Sequence, residues 1–167
     1  RIEVASVVKS LSKSYKKLLF GGTNIGLMGL FADKAKENQM EVISVVPEWF
    51  SKKHKDLIFS GDKLVLTKDL SERKKIFEDT DAYICYPGGI GTLDEIFNLI
   101  ARINLTEIQE IPIIIYNYER FFSPTLLQIE IGIKMGLIRK EVMQYIHTFE
   151  HIDQLNDILE HIQNDKT

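Results

Sequence analysis

Two spacings of apolar residues alternate along the chain, one typical of helices and the other of short buried strands. Helical spacing begins at once, in Ile2, Val4, Ala5, Val8, Leu11 and Tyr15. Short, uniformly apolar runs predict strands that are covered on both faces. The predicted helices cover approximately residues 2–15, 25–37, 70–79, 92–104, 123–135, 139–145 and 152–162. The predicted strands are 17–20, 42–46, 63–66, 82–86, 113–116 and 146–149, and residues 48–62 look irregular.

This alternation is typical of a parallel sheet with helices on both faces. We therefore predict an α/β fold: a single Rossmann-like doubly wound domain over residues 1–167, a length that fits one domain. A doubly wound sheet begins with a strand, so we expect a first strand to precede Ile2 and to be missing from this chain. Ligands of such folds bind at the carboxyl ends of the strands.

Two strand–glycine–helix turns stand at such ends, GGTNIGLMG at 21–29 and PGGIGTLDE at 87–95. Glycine lets the backbone approach a ligand, and the following helix directs free N–H groups at an anion. The first turn lacks the middle glycine of the dinucleotide fingerprint, because Thr23 stands there, so an ordinary turn is an equal alternative. The second turn is denser in glycine and lacks the Gly-Lys-Ser/Thr of a Walker A loop.

Charged residues accompany these turns. Asp94 and Glu95 lie near the start of the helix after the second turn, where acidic residues also complement the helix dipole. Residues 71–75 open the helix that precedes the strand leading into the second turn. They are either a helix cap followed by a solvated basic face or part of a binding site. In the second interpretation, Arg73 forks onto a phosphate or a purine nitrogen.

The composition limits the possible partners. The net charge of -3 provides no basic field for nucleic acid or an anionic membrane, so any phosphate must be held locally. The only cysteine, Cys85, excludes an intrachain disulfide and is expected to be a buried, inert thiol. The histidines show no ligand spacing, so we expect no metal. Without a signal peptide or an apolar run that could span a bilayer, we expect a cytoplasmic protein.

The two glycine motifs, with Arg73-Lys74 between them, resemble the LOG ("lonely guy") family over nearly the whole chain. The resemblance implies cleavage of a nucleoside 5'-monophosphate, AMP or an N6-substituted (cytokinin) AMP, to free base and ribose 5-phosphate, with no cofactor. It also implies that Arg73 and Glu95 are catalytic and that the backbone of 88–92 holds the phosphate. The substrate-binding residues implied are Gly22, Thr23, Gly26, Met28, Lys74, Gly88, Gly89, Ile90, Gly91, Thr92 and Asp94.

The resemblance further implies a homodimer, in agreement with apolar residues on more than one face of the helices at 92–104 and 123–135.

A carboxylate stabilises the positive charge that builds on ribose as an N-glycosidic bond breaks, and an arginine offsets the charge of the leaving base. One alternative is a binding or carrier protein on the same fold, such as the molybdenum cofactor carriers. Lysine decarboxylation needs pyridoxal phosphate on a lysine, and no motif marks such a lysine here.

Overall fold

The computed structural model describes residues 3–165 of the chain. The chain divides into two compact units. The first unit ends at Asp79 and includes the chain again from Gln163, and the second runs from Thr80 to Ile162. The single domain over residues 1–167 stays a prediction, and the first strand expected before Ile2 lies outside the described residues.

The first unit contains a three-stranded parallel sheet in the order β1-β2-β3. Leu19 of β1 pairs with Ile43 of β2, and Val45 of β2 pairs with Val65 of β3. Every side chain from 42 to 47 is buried, so both faces of the central strand are covered. The elements are α1 (Val4–Ser14), β1 (Lys17–Phe20), α2 (Gly26–Glu37), β2 (Glu41–Pro47), α3 (Glu48–Lys53), a 3₁₀ turn (Lys55–Leu57), β3 (Lys63–Thr67) and α4 (Leu70–Glu78).

The second unit contains another parallel sheet, in the order β4-β5-β6. Ile114 of the central strand pairs with Ile84 on one side and His147 on the other. All four residues of β5 are buried, so this sheet is also covered on both faces. The elements are β4 (Tyr83–Cys85), α5 (Ile90–Asn104), β5 (Ile113–Tyr116), a 3₁₀ turn (Tyr118–Arg120), α6 (Ser123–Lys134), a 3₁₀ turn (Lys140–Gln144), β6 (Ile146–Phe149) and α7 (Ile152–Asp165).

The predicted α/β class, with parallel strands flanked by helices, is confirmed. Three local predictions differ from the structure. The region predicted as irregular contains α3, the helix predicted at 139–145 is a 3₁₀ turn, and α5 begins at Ile90 rather than Thr92. A five-residue segment is too short to form a stable α-helix on its own, which explains the second difference. Within residues 3–165, no helix is long and apolar enough to cross a membrane.

Candidate functional site

The first glycine turn joins β1 to α2 at the carboxyl end of the first unit's sheet. Gly22 has a φ of +77°, and a side chain there would strike Val46 and come within 3.1 Å of Ser44 Cβ. Gly26 has a φ of +61°, but a Cβ there would meet no atom within 4 Å. Packing within the fold is therefore sufficient to explain Gly22, while the backbone angle is sufficient to explain Gly26.

A second segment of chain, residues 55–59, pairs with this turn. The amide of Phe59 donates to the Gly22 carbonyl at 2.8 Å, and the amide of Asn24 donates to the Leu57 carbonyl at 2.9 Å. The Asn24 side chain also donates to the Asp56 carbonyl at 2.9 Å. These hydrogen bonds fix the path of the turn independently of any ligand.

Helix α4 carries Arg73 and Lys74 close to its N-terminus, which side chains cap. The Asp69 carboxylate accepts a hydrogen bond from the Glu72 amide at 2.9 Å, and the Glu72 carboxylate accepts one from the Lys68 amide at 2.6 Å. Such capping stabilises the first turn of a helix by about 1 kcal/mol. The helix that carries Arg73 therefore has a defined N-terminus.

The guanidinium of Arg73 lies over the backbone of Gly21. A Cβ at Gly21 would stand 2.7 Å from Arg73 Nη2 and 3.3 Å from the sulfur of Met28. The guanidinium carbon also lies 5.0 Å from the ring centroid of Phe77, within the range of a cation–π interaction. The structure thus brings Arg73 and Met28 together around Gly21, with Phe77 supporting the guanidinium.

The second glycine loop leads from β4 into α5. A Cβ at Gly88 would strike the Thr92 hydroxyl, whereas Cβ atoms at Gly89 and Gly91 would meet nothing within 4 Å. The Thr92 amide donates to the Gly89 carbonyl at 3.1 Å. Ile90 is 81% exposed, and Gly89 and Gly91 are also exposed. The start of α5 therefore faces open space with its positive dipole end, an arrangement that suits an anion.

Glu95 lies one helical turn beyond this loop and is partly buried. Its Oε2 accepts a hydrogen bond from the Tyr83 hydroxyl at 2.5 Å. Burial raises the pKa of the Cys85 thiol, and the nearby charge of Glu95 raises it further. Asp94, in contrast, is exposed. The Glu95 carboxylate is therefore held by a side chain of the sheet, Tyr83.

Aromatic rings pack at the carboxyl ends of the second unit's strands. Tyr116 stacks on Phe149 with ring centroids 4.7 Å apart, and Tyr86 contacts Tyr116 edge to face at 5.4 Å. Burial, and next the neighbouring Tyr116, raise the pKa of the Tyr86 hydroxyl. Because Tyr86 immediately precedes the PGGIGT loop, the loop starts from a tightly packed point.

The predicted catalytic residues belong to different units, Arg73 to the first and Glu95 to the second. The substrate-binding and catalytic roles of all the residues named from the sequence stay predictions. Two features have no signal in the sequence: the approach of Arg73 to Gly21 and the bond from Tyr83 to Glu95. Among residues 3–165, no group of three or more His, Cys, Asp or Glu side chains could hold a metal ion.

The family model described as "Possible lysine decarboxylase" matches residues 28–160, which include Arg73 and the whole PGGIGT loop. The chain belongs to this family. Membership in the lysine decarboxylase-like family confirms the resemblance that the two glycine motifs indicated. A cytokinin riboside 5'-monophosphate phosphoribohydrolase from Rhodococcoides fascians is 29% identical, over 78% of this chain and 66% of the relative. A probable enzyme of the same name from Oryza sativa subsp. japonica is 31% identical, over 77% of this chain and 52% of the relative.

The chain thus spans between about half and two thirds of the length of these relatives. Among solved structures, the molybdenum cofactor carrier protein from Chlamydomonas reinhardtii superposes with a TM-score of 0.68. The alignment covers 96% of this chain and 86% of the carrier, at 15% sequence identity. Structural similarity at this low sequence identity shows that the chain has the same fold as the carrier protein. It shows nothing about the ligand of the chain.

Proposed function

We propose that this protein hydrolyses the N-glycosidic bond of a purine nucleoside 5'-monophosphate, AMP or an N6-substituted AMP. The names of its relatives support this reaction class. The observation that carries the proposal is an open glycine loop followed within one helical turn by a carboxylate held in place by Tyr83. Glu95 lies about 6 Å along the helix axis from Gly91, roughly the length of a ribose. A phosphate at the loop would then bring the ribose towards the carboxylate.

In the proposed reaction, water adds to C1' of the ribose while the bond from C1' to the base nitrogen breaks. The electron pair of that bond leaves with the base. Glu95 stabilises the positive charge on the ribose and accepts the proton of the attacking water. Arg73 offsets the negative charge on the leaving base. The proton that Glu95 accepted from the water passes through solvent to the base, which departs neutral and leaves the carboxylate ionised again. The phosphate held by residues 88–92 supplies binding energy remote from the reacting bond.

The test is single-turnover release of adenine from AMP, with binding followed by calorimetry. Glu95→Gln keeps the shape of the side chain and removes its charge. We expect a loss of roughly 100-fold or more in turnover, the scale of one preorganised electrostatic group, while AMP binding survives. If Glu95→Gln keeps full turnover, the assignment of Glu95 is wrong and Asp94 is the next residue to test. A panel of N6-substituted monophosphates, compared by kcat/KM, identifies the preferred base.

A second candidate is a nucleotide-binding or carrier protein, which the likeness to the molybdenum cofactor carrier fold favours. A binding module needs the glycine loop but no carboxylate at the ribose. Wild-type protein that binds AMP and releases no base from any monophosphate tested would support this candidate and refute the hydrolase.

We also propose that the protein is a cytoplasmic homodimer, a small-molecule enzyme that binds no nucleic acid. Much of the apolar surface predicted on α5 and α6 packs into the core, including Ile96, Leu99 and Ile129, but Phe97, Leu127 and Ile131 remain exposed. Leu127 and Ile131 are four residues apart and share one face of α6.

Light scattering should give a dimer mass for the wild type and a monomer mass for Ile131→Glu. A monomeric wild type at micromolar concentration would refute the dimer, and cell fractionation tests the location.

A further inference from the structure

The bond between Tyr83 and Glu95 joins β4 to α5, the helix that follows the second glycine loop. Tyr83 opens β4, and its backbone amide donates to the Pro112 carbonyl at 2.8 Å. Its ring packs against the buried apolar cluster of the second unit. The strand therefore fixes the position of the tyrosine ring, and the phenolic oxygen lies 2.5 Å from Glu95 Oε2.

The neighbouring strand residue locates the carboxylate further. Residues two apart on a strand point to the same face, so Tyr83 and Cys85 both face α5. Cys85 is 1% exposed, and the charge of Glu95 acts on its thiol. The adjacent helix residue, Ile96, is fully buried. The Glu95 carboxylate therefore lies at the margin of an apolar layer, and Tyr83 supplies it with a hydrogen-bond donor there.

We propose that Tyr83 is a positioning residue for the reaction, holding the Glu95 carboxylate in place through its hydrogen bond to Oε2. This inference rests on the proposed function. A glutamate side chain has several freely rotating bonds, and a carboxylate stabilises a developing charge best when it is already in place. An O–H···O distance of 2.5 Å is at the short end of the range for a hydroxyl bound to an ionised carboxylate. Phenylalanine in place of Tyr83 would keep the ring packing and remove this hydrogen bond to Oε2.

A matched control is available in the same unit. Tyr145 is buried, and its hydroxyl has no hydrogen-bond partner among the described residues. It immediately precedes β6, which β5 separates from the strand that carries Tyr83. Tyr145→Phe therefore removes the same oxygen atom from a buried ring without touching the carboxylate.

The experiment compares single-turnover release of adenine from AMP by wild type, Tyr83→Phe and Tyr145→Phe, with AMP affinity measured by calorimetry. We expect kcat to fall roughly 10- to 30-fold in Tyr83→Phe, the scale of one hydrogen bond to a charged group. The AMP dissociation constant should stay within about twofold, because the glycine loop is untouched. Tyr145→Phe should match the wild type in both.

Two further measurements separate positioning from a general loss of structure. In a Glu95→Gln background, Tyr83→Phe should cost less than about twofold, because residues that act through one another are not additive. In the wild type, proton NMR should show a downfield hydroxyl resonance of Tyr83 that moves upfield in Glu95→Gln, a signal that does not depend on how the Tyr83 variant folds.

The outcomes distinguish this inference from the function on which it rests. A wild type that releases no base refutes the proposed function and, with it, the role of Tyr83. An active wild type with an equally active Tyr83→Phe refutes only the positioning role. The positioning role is also overturned if Tyr83→Phe lowers kcat by the same factor with and without Glu95→Gln. It is overturned likewise if the Tyr83 hydroxyl resonance does not move in Glu95→Gln. A lower kcat with unchanged affinity, absent in the Glu95→Gln background, supports it.

Discussion

Replacing Gly21 with alanine should move the guanidinium of Arg73 and leave the fold intact. The new Cβ would stand 2.7 Å from Arg73 Nη2, whereas ordinary van der Waals contact begins at 3.4 Å. The guanidinium must therefore shift by about 0.7 Å to relieve the overlap. Because Nη2 is the far end of a flexible side chain, this shift should cost little stability. The sulfur of Met28, at 3.3 Å, needs almost no adjustment.

The consequence for activity should be much larger than for stability. A misplacement of about 1 Å in a catalytic group can cost about 100-fold in rate. We therefore expect Gly21→Ala to lower kcat for adenine release by roughly 10- to 100-fold, with a melting temperature within a few degrees of the wild type. AMP affinity should change less than kcat, because the phosphate contacts that we propose come from the backbone of residues 88–92, which this substitution does not alter.

The assay is single-turnover base release by wild type, Gly21→Ala, Arg73→Ala and the double variant. If the alanine acts only by moving the guanidinium, it should cost nothing more once Arg73 is gone. Full activity in Gly21→Ala would refute the reasoning, and so would a loss of equal size in the Arg73→Ala background. A large fall in melting temperature would show that the turn itself has been distorted.

Three further predictions concern single side chains. Gly89→Ala should leave the melting temperature unchanged, because its Cβ faces open space, but weaken AMP binding roughly 10- to 100-fold in calorimetry by crowding the phosphate. Arg73→Lys should lower kcat roughly 10-fold or more, because a point charge cannot reproduce a planar fork, and activity equal to wild type would contradict this. Burial raises the pKa of Cys85 above its ordinary value of 9.0, so its thiol should resist Ellman's reagent at pH 8 until the protein unfolds. The folded state then binds more protons than the unfolded state above about pH 9, so stability should fall as pH rises through that range in urea titrations.

The features that the sequence predicted are those encoded by neighbouring residues. The apolar run at 113–116, and the run at 42–46 that only Ser44 interrupts, correspond to strands buried on both faces. The two glycine motifs mark the turns at the ends of β1 and β4, because glycine clusters interrupt periodic segments. The order of helices and strands follows from the same local signals.

What the sequence did not predict depends on residues far apart in the chain. Residues 55–59 pair with the first glycine turn through hydrogen bonds across more than 30 positions, for which no periodicity exists. Tyr83 belongs to the apolar run at 82–86, which predicts a strand covered on both faces and gives no signal for a hydrogen bond to Glu95. A signal for α3 was present locally, since Glu48 and Lys52 are four residues apart and form an ion pair at 3.1 Å.

The surroundings of the glycines indicate what each turn contributes. In the first turn, Gly22 is confined by Val46, and a side chain at Gly29 would strike the Asn24 carbonyl, so the fold requires both glycines whether or not a ligand binds. In the second turn, Gly89 and Gly91 face open space, and neither has the positive φ that favours glycine. Gly91 is the second residue of α5, and a Cβ there would meet no atom within 4 Å, so packing gives no reason for glycine at this position. A ligand that approaches the backbone closely does give one. This difference supports the proposal that the second turn binds the phosphate, whereas the first turn brings the Arg73 guanidinium over Gly21.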